Sequence, residues 1–208
     1  MRHPVIHLHV NDLPNDFKAG DSIAVDTETL GLNLRRDRLC VVQLSNGDGE
    51  CHLVQFPAGT KYNAPNLIKI LSNPGIQKIF HFARFDVAAL YQYLGVETQN
   101  IYCTKIASRI ARTYTDRHGL KDLCKQMLGV EISKQEQTSD WGHPELSHSQ
   151  QEYAATDVLY LHQLRDKLEE SLIREKRHSE AHKCFGFIMT RAKLDLMGWE
   201  NQDIFSHA

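Results

Sequence analysis

The sequence predicts an α/β domain in which a mixed sheet is covered by helices. Two observations carry this: short apolar, β-branched runs crowd the first eighty or so residues, and a 3.6-residue periodicity takes over after them. A third is composition. With 41% hydrophobic and 24% charged residues in a chain of 208, the sequence suits one well-filled core and excludes a disordered, collagen-like or coiled-coil protein. No internal repeat, low-complexity tract or Pro/Gly/Ser linker divides the chain, so residues 1–208 are expected to form a single domain.

Taken in order, residues 22–27 (Ser-Ile-Ala-Val-Asp-Thr) read as a buried strand, followed by strands at 38–45 and 50–56. The intervening Asn46-Gly47-Asp48-Gly49 is a hairpin signal, so this opening is largely antiparallel. Pro65 begins a short helix to Leu71, and residues 77–82 form another β-rich apolar run. Val87, Leu90, Tyr91 and Leu94 then fall at i, i+3, i+4 and i+7, with Gly95 where a helix C-cap belongs. Helices are expected over 103–113 and 119–128, the second stopped by Gly129. Ser149 and Glu152 match a capping box, and Ala154, Val158, Leu161, Leu164, Leu168 and Leu172 continue at helical spacing to about Lys176, predicting one long amphipathic helix. Residues 178–208 form a C-terminal extension rich in Phe185, Phe187, Ile188, Met189, Leu196, Met197, Trp199 and Phe205. So much apolar surface needs a partner, either its own domain or a neighbouring subunit.

Charge and composition narrow the function. Lys plus Arg total 24 against 26 Asp plus Glu, a formal net charge of -2, which argues against a protein gripping long nucleic acid but leaves a short nucleotide ligand open. No window approaches a membrane span, the opening residues lack the apolar core of a signal peptide, and a cytoplasmic protein is expected. Five cysteines without CxxC spacing predict buried reduced thiols rather than a disulfide framework or cysteine zinc site. The twelve histidines are expected mostly at the surface, and none is assigned as a metal ligand.

Three acidic segments carry the chemistry. Asp26 and Glu28 close the first buried strand at i and i+2, so both carboxylates emerge on one face; alone, such a pair also fits a solvated sheet edge. Asp86 follows the apolar run Phe80-His81-Phe82 where a helix begins, a place where an acid also complements the helix dipole. Tyr153 and Asp157 stand at i, i+4 on one helix face bordering the buried stripe, where the plain alternative is a solvated face. Clustered carboxylates repel and are costly to desolvate unless cations join them, and oxygen-rich hard ligand sets suit Mg²⁺ or Mn²⁺.

On these motifs the chain resembles the four-acid, one-tyrosine branch of the 3′–5′ exonuclease superfamily. Lys134, Asp140-Trp141 and Tyr153-Ala154-Ala155-Thr156-Asp157 are similar to ribonuclease D. Asp26-Thr27-Glu28-Thr29-Leu30-Gly31-Leu32, Arg36 to Leu44, Thr113 to Leu120 and Leu194-Asp195-Leu196-Met197-Gly198-Trp199 look like the nano-RNase C family of small ribonuclease D-like enzymes. The resemblance implies a ribonuclease H-like fold with a mixed five-stranded sheet flanked by helices. It also implies an exoribonuclease that cleaves very short RNA, especially dinucleotides, to mononucleoside 5′-monophosphates, and self-association as a ring of eight. The helical RNA-binding domains that follow the catalytic domain of ribonuclease D are not expected here.

By the same resemblance Asp26 bridges two divalent cations, Glu28 and Asp157 complete the one that binds the attacking water, Asp86 serves the other, and Tyr153 orients the water. Leu32 is placed to wedge between bases, although an ordinary loop leucine explains it too. Thr27, His81 and Phe82 are candidates for substrate contact. Arg109, Arg112, Tyr114, Arg117 and His118 form the densest cationic and aromatic cluster, suited to a terminal phosphate or else to solvated helix ends. Lys134, Gln137 and Trp141 are candidates for the substrate entrance, with a packed Trp the alternative. Two rival functions remain at this stage: ribonuclease D-type trimming of longer 3′ ends, and an inactive exonuclease fold used to bind nucleic acid.

Overall fold

The computed structural model describes residues 4–133 and 135–207, and the strand-forming runs all lie in one sheet. Its order is β1 (Val5–Val10), β4 (Glu50–Gln55), β3 (Leu39–Ser45), β2 (Ser22–Thr29), β5 (Gln77–Phe80) and β6 (Ile101–Cys103). The sheet is mixed: β2, β3 and β4 are antiparallel, whereas β1 on β4, β5 on β2 and β6 on β5 are parallel. Among the described residues six strands stand where five were expected. β1 escapes a reading based on β-branched runs because histidines interrupt it, yet Ile6, Leu8 and Val10 alternate strictly with Val5, His7 and His9. All seven residues of the central β3 are buried, as befits a strand covered on both faces. The β3–β4 hairpin forms at the predicted place, where Gly47 adopts φ +81° and a Cβ would sit 2.9 Å from the His162 ring.

Helices follow in the order α1 (Pro65–Ser72), α2 (Ala83–Leu94), α3 (Thr104–Ala111) and α4 (Leu120–Leu123), which continues as a π-helical turn over Cys124–Leu128. Then come α5 (His148–Leu159), α6 (Leu161–Arg174) and α7 (His178–Leu194), which runs into a second π-helical turn at Asp195–Trp199. The long helix expected from 149 to 176 is therefore two. α5 packs on β2, β3 and β4, whereas α6 packs on α3 and β5, and the break at Tyr160 lets one apolar stripe follow two surfaces. The capping box lies at Ser147 and Gln150 instead of Ser149 and Glu152: Ser147 Oγ accepts from Gln150 N at 3.2 Å and Gln150 Oε1 accepts from Ser147 N at 2.9 Å.

The apolar residues after α6 divide. Phe185 and Ile188 are buried as α7 packs on α2, α3 and β6, while Met197, Trp199 and Phe205 remain exposed. Cys40, Cys51, Cys103 and Cys124 are buried free thiols as expected, but Cys184 is exposed on the outer side of α7. Among the described residues no helix is long and apolar enough to cross a membrane.

Candidate active site

The three acidic segments converge where the sheet's strand ends meet two helices. β2 delivers Asp26 and Glu28, the first turn of α2 delivers Asp86, and α5, lying across β2, delivers Tyr153 and Asp157. Carboxylate oxygens of Asp26, Glu28 and Asp157 all lie within 4.8 Å of one another. Asp86 is almost fully buried and accepts a hydrogen bond from Thr27 Oγ1 at 2.7 Å. These residues line a cleft of about 320 Å³ together with Leu32, His81, Phe82, Phe85, Lys105, Lys121 and Gln137.

The electrostatics are those of a cage awaiting positive charge. Burial, then the charges of Asp86, Asp157 and Glu28, push the Asp26 carboxyl well above the usual range. Burial and the neighbouring carboxylates raise Glu28 to about 9. Burial raises Asp86 to about 7 in spite of the Thr27 hydrogen bond, which favours its charged form. Burial and the mutual repulsion of the carboxylates dominate these shifts, and an all-oxygen donor set so crowded fits a hard divalent ion. Burial and the charges of Asp157, Glu28 and Asp26 likewise raise the Tyr153 phenol, which stays protonated at neutral pH.

Comparison with known proteins bears on this geometry. A sequence profile described as 3′–5′ exonuclease matches residues 8–173. The chain belongs to that family. Brucella melitensis NrnC bound to pGG is 54% identical, with 99% of this chain and 100% of that one covered at a TM-score of 0.94. NrnC with bound Mg²⁺ is 53% identical over 98% and 100% of the two chains, with a TM-score of 0.93. This exonuclease is of the nano-RNase C type. Ribonuclease D of Granulibacter bethesdensis is 30% identical over 155 residues, 74% of this chain and 38% of that protein. The chain thus spans about two fifths of the length of the curated relatives it matches.

Around the four acids, the predicted substrate residues take different places. Leu32 is 86% exposed on the cleft rim, yet its loop is held firmly. Thr29 Oγ1 donates to Gly31 O at 2.6 Å, Asn33 N to Asp37 Oδ2 at 3.0 Å, and Tyr93 Oη to Leu34 O at 2.8 Å. A Cβ on Gly31 would collide with the Asp37 carboxylate. Phe82 sits at φ +70°, a left-handed conformation rare for a bulky residue, and its half-exposed ring lies 4.4 Å beneath Lys105 Nζ. The His81 ring is fixed by Thr104: that hydroxyl donates to Phe80 O at 3.1 Å, so His81 Nδ1, 2.9 Å away, must be the protonated nitrogen donating to it.

Arg112, Tyr114, Arg117 and His118 do not line the cleft. Arg112 is buried, and its guanidinium donates to Ser108 Oγ at 3.1 Å, Arg117 O at 3.2 Å, Tyr114 Oη at 3.3 Å and Gln126 Oε1, while His118 Nδ1 pairs with Ser108 Oγ at 2.8 Å. In this chain Arg112 therefore ties the α3–α4 connection together, and the following Gly119, Leu120 and Lys121 reach the cleft instead. Gln137 lines the cleft, Trp141 is packed near Tyr153, and Lys134 lies outside the described residues. Phe85, Lys105 and Lys121 were not singled out from sequence. Phe85 had a usable signal, one residue before Asp86 in the same motif; the two lysines had none.

Proposed function

We propose that this protein is a two-metal-ion 3′–5′ exoribonuclease that hydrolyses very short RNA, dinucleotides above all, to mononucleoside 5′-monophosphates. The observation that carries the reading is the convergence of four carboxylates and a protonated tyrosine in a cleft that adjoins a second, bounded cavity. That cavity, about 550 Å³, shares Leu32, Phe82 and Phe85 with the acidic cleft and is walled elsewhere by Arg35, Arg36, Arg84, Asp195, Leu196 and Glu200. Arg84 holds the C-terminal wall in place through two bonds to Asp195, at 2.5 and 2.8 Å, and one to Glu200 O at 2.6 Å.

Asp26, Glu28, Asp86 and Asp157 would hold the cations, two Mg²⁺ or Mn²⁺ in this reading. Bound there, such ions would supply a nucleophilic water at neutral pH and stabilise the phosphoryl and leaving oxygens. The chain's own residues do the rest. Thr27 fixes the Asp86 carboxylate through the bond described above. Tyr153 stays a neutral phenol at neutral pH, so its phenolate is not available as a base, and its hydroxyl would orient the water. Leu32 and Phe82 offer apolar faces to the terminal bases, and Lys105 and Lys121 bring positive charge to the phosphates.

A cytoplasmic setting goes with this reading, since the buried thiols suit a reducing compartment. So does self-association, as a closed ring of eight that would narrow access to the cleft; the exposed Met197, Trp199 and Phe205 support it. The 109–118 cluster would then meet a terminal phosphate from a neighbouring subunit. The product distribution from 5′-labelled RNAs of two to ten nucleotides in Mg²⁺ tests the proposal. Dinucleotides should be cleaved at least as fast as longer RNA; rates rising steadily with length would favour 3′-end trimming, and no metal-stimulated hydrolysis would favour a binding module. Light scattering showing only a 23.8 kDa species would refute the ring.

A further inference from the structure

We infer that the α6–α7 junction carries a second metal site, of a chemistry different from the acidic cleft: a zinc-class transition cation held by Glu169, His178 and His182. The two histidines stand four residues apart on the first turns of α7 and so share a face. Glu169 comes from the facing turn of α6. His178 Nε2 lies 2.7 Å and His182 Nε2 3.1 Å from the same Glu169 oxygen, and all three ligand atoms fall within 4.8 Å of one another. A tetrahedral centre with bonds of about 2.05 Å needs ligand atoms roughly 3.3 Å apart. The two histidine–carboxylate separations, 2.7 and 3.1 Å, lie within about 0.6 Å of that spacing, and the imidazole nitrogens, no more than 4.8 Å apart, have at most about 1.5 Å to close. This arrangement corrects the expectation that no histidine is a metal ligand.

Two further features make it a built site. Tyr102, a fully buried residue, stands edge-on to the His182 ring at 6.1 Å between centroids, with its hydroxyl donating to Arg165 O at 3.5 Å, so the imidazole is backed by a fixed aromatic wall. A cavity of about 390 Å³ lined by Gln77, Tyr102, Arg165 and Ile173 opens beside Glu169 and His182, leaving room for a fourth ligand such as water. Arg165, the nearest cation, is turned to Gln77 Oε1 at 2.6 Å and Asp166 Oδ1 at 2.5 Å. Two imidazoles and one carboxylate suit Zn²⁺ or Co²⁺ and discriminate against Mg²⁺, which prefers oxygen and keeps its waters. Bound there, the ion would clasp α7 to α6 and steady the helix that carries Asp195 toward Arg84.

The test uses the full chain stripped with chelator and titrated with Co²⁺ or Zn²⁺ in excess Mg²⁺, which occupies the acidic cleft. One equivalent should bind, with the visible absorption of tetrahedral Co²⁺ and X-ray absorption showing two imidazoles. At roughly a hundredfold excess of Zn²⁺ over its dissociation constant the melting temperature should rise by about 5 °C or more. His178→Asn and His182→Asn should abolish binding and the shift without loss of Mg²⁺-dependent hydrolysis. An oxygen-only coordination shell in the unmodified protein, or Zn²⁺ binding unchanged in His182→Asn but lost in Asp157→Asn, would overturn the assignment. Because the readout is binding, it fails or succeeds independently of the exonuclease reading.

Discussion

Replacing Glu28 with Gln should stabilise the metal-free protein while destroying its activity. Glu28 is raised to about 9, first by burial and then by Asp157 and Asp86. A carboxyl whose folded pKa is raised keeps its proton in the native state after the unfolded chain has released it. Its contribution is therefore fully present below about pH 4.5 and is lost as pH climbs through about 9. From about pH 4.5 to about pH 8 the linkage is worth at most about 5 kcal/mol, and water entry plus relaxation of the other acids should leave about 2 kcal/mol. For a chain of this size that is roughly 4–8 °C in melting temperature. Melting followed by circular dichroism in EDTA, at about pH 5 and about pH 8, measures it. The variant should gain on the parent mainly at the higher pH, and added Mg²⁺ should reverse the order by stabilising only the parent. A variant that melts at or below the parent at about pH 8 without metal would refute the crowded-cage argument, as would a difference that fails to grow with pH.

Asp26→Asn and Asp157→Asn should each abolish Mg²⁺-dependent hydrolysis of short RNA with the circular dichroism spectrum unchanged; substantial turnover by either purified variant would defeat the cage. Tyr153→Phe should lower kcat roughly ten- to hundredfold, the loss of one hydrogen bond to a charged or polarised group, while Mg²⁺ affinity measured by calorimetry stays put. Leu32→Ala removes a side chain that is 86% exposed, so melting should move by less than about 1 °C while kcat/KM for short RNA falls roughly five- to thirtyfold if a base packs on it. An unchanged kcat/KM would leave Leu32 an ordinary loop residue.

The convergence of the four acids was legible because each ends or opens an element whose interior is strongly apolar, so a carboxylate there stands out against its neighbours. The strand from 22, the hairpin at Asn46-Gly47-Asp48-Gly49 and the helix capped by Gly95 were legible for the same local reasons. What was not legible depends on tertiary surroundings. Ser147-x-x-Gln150 and Ser149-x-x-Glu152 satisfy one capping pattern equally, and the choice falls to Ser147 because Gln150 also donates to Ser139 Oγ at 3.0 Å and Asp140 O at 3.1 Å. The break at Tyr160 preserves the apolar periodicity on both sides and so leaves no trace in it. That Arg112 is already engaged by Ser108, Tyr114, Arg117 and Gln126 is likewise invisible to composition, which counts charges without showing what they bind. The i, i+4 spacing of His178 and His182 is visible in the sequence, but their pairing with Glu169 depends on how α6 meets α7.

Rejection of long RNA, in this reading, is achieved by walls and rigid apolar faces more than by charge. A net charge of -2 supplies little long-range attraction for a polyanion, so a short substrate must be held by contacts already in position. The loop carrying Leu32 is ordered by Thr29, Asp37 and Tyr93 before any substrate arrives, and Phe82 is held at φ +70° between the end of β5 and α2, at a backbone cost of roughly 1–3 kcal/mol. Strain at that position is tolerable because the buried Phe80, the Thr104–His81 pair and the packed α2 over-determine it. It sets the turn from which α2 begins, and so places Asp86 one helical turn later, next to Thr27. Ordering these groups during folding spares the binding step that entropy, which matters most for a ligand of two nucleotides with few contacts to offer.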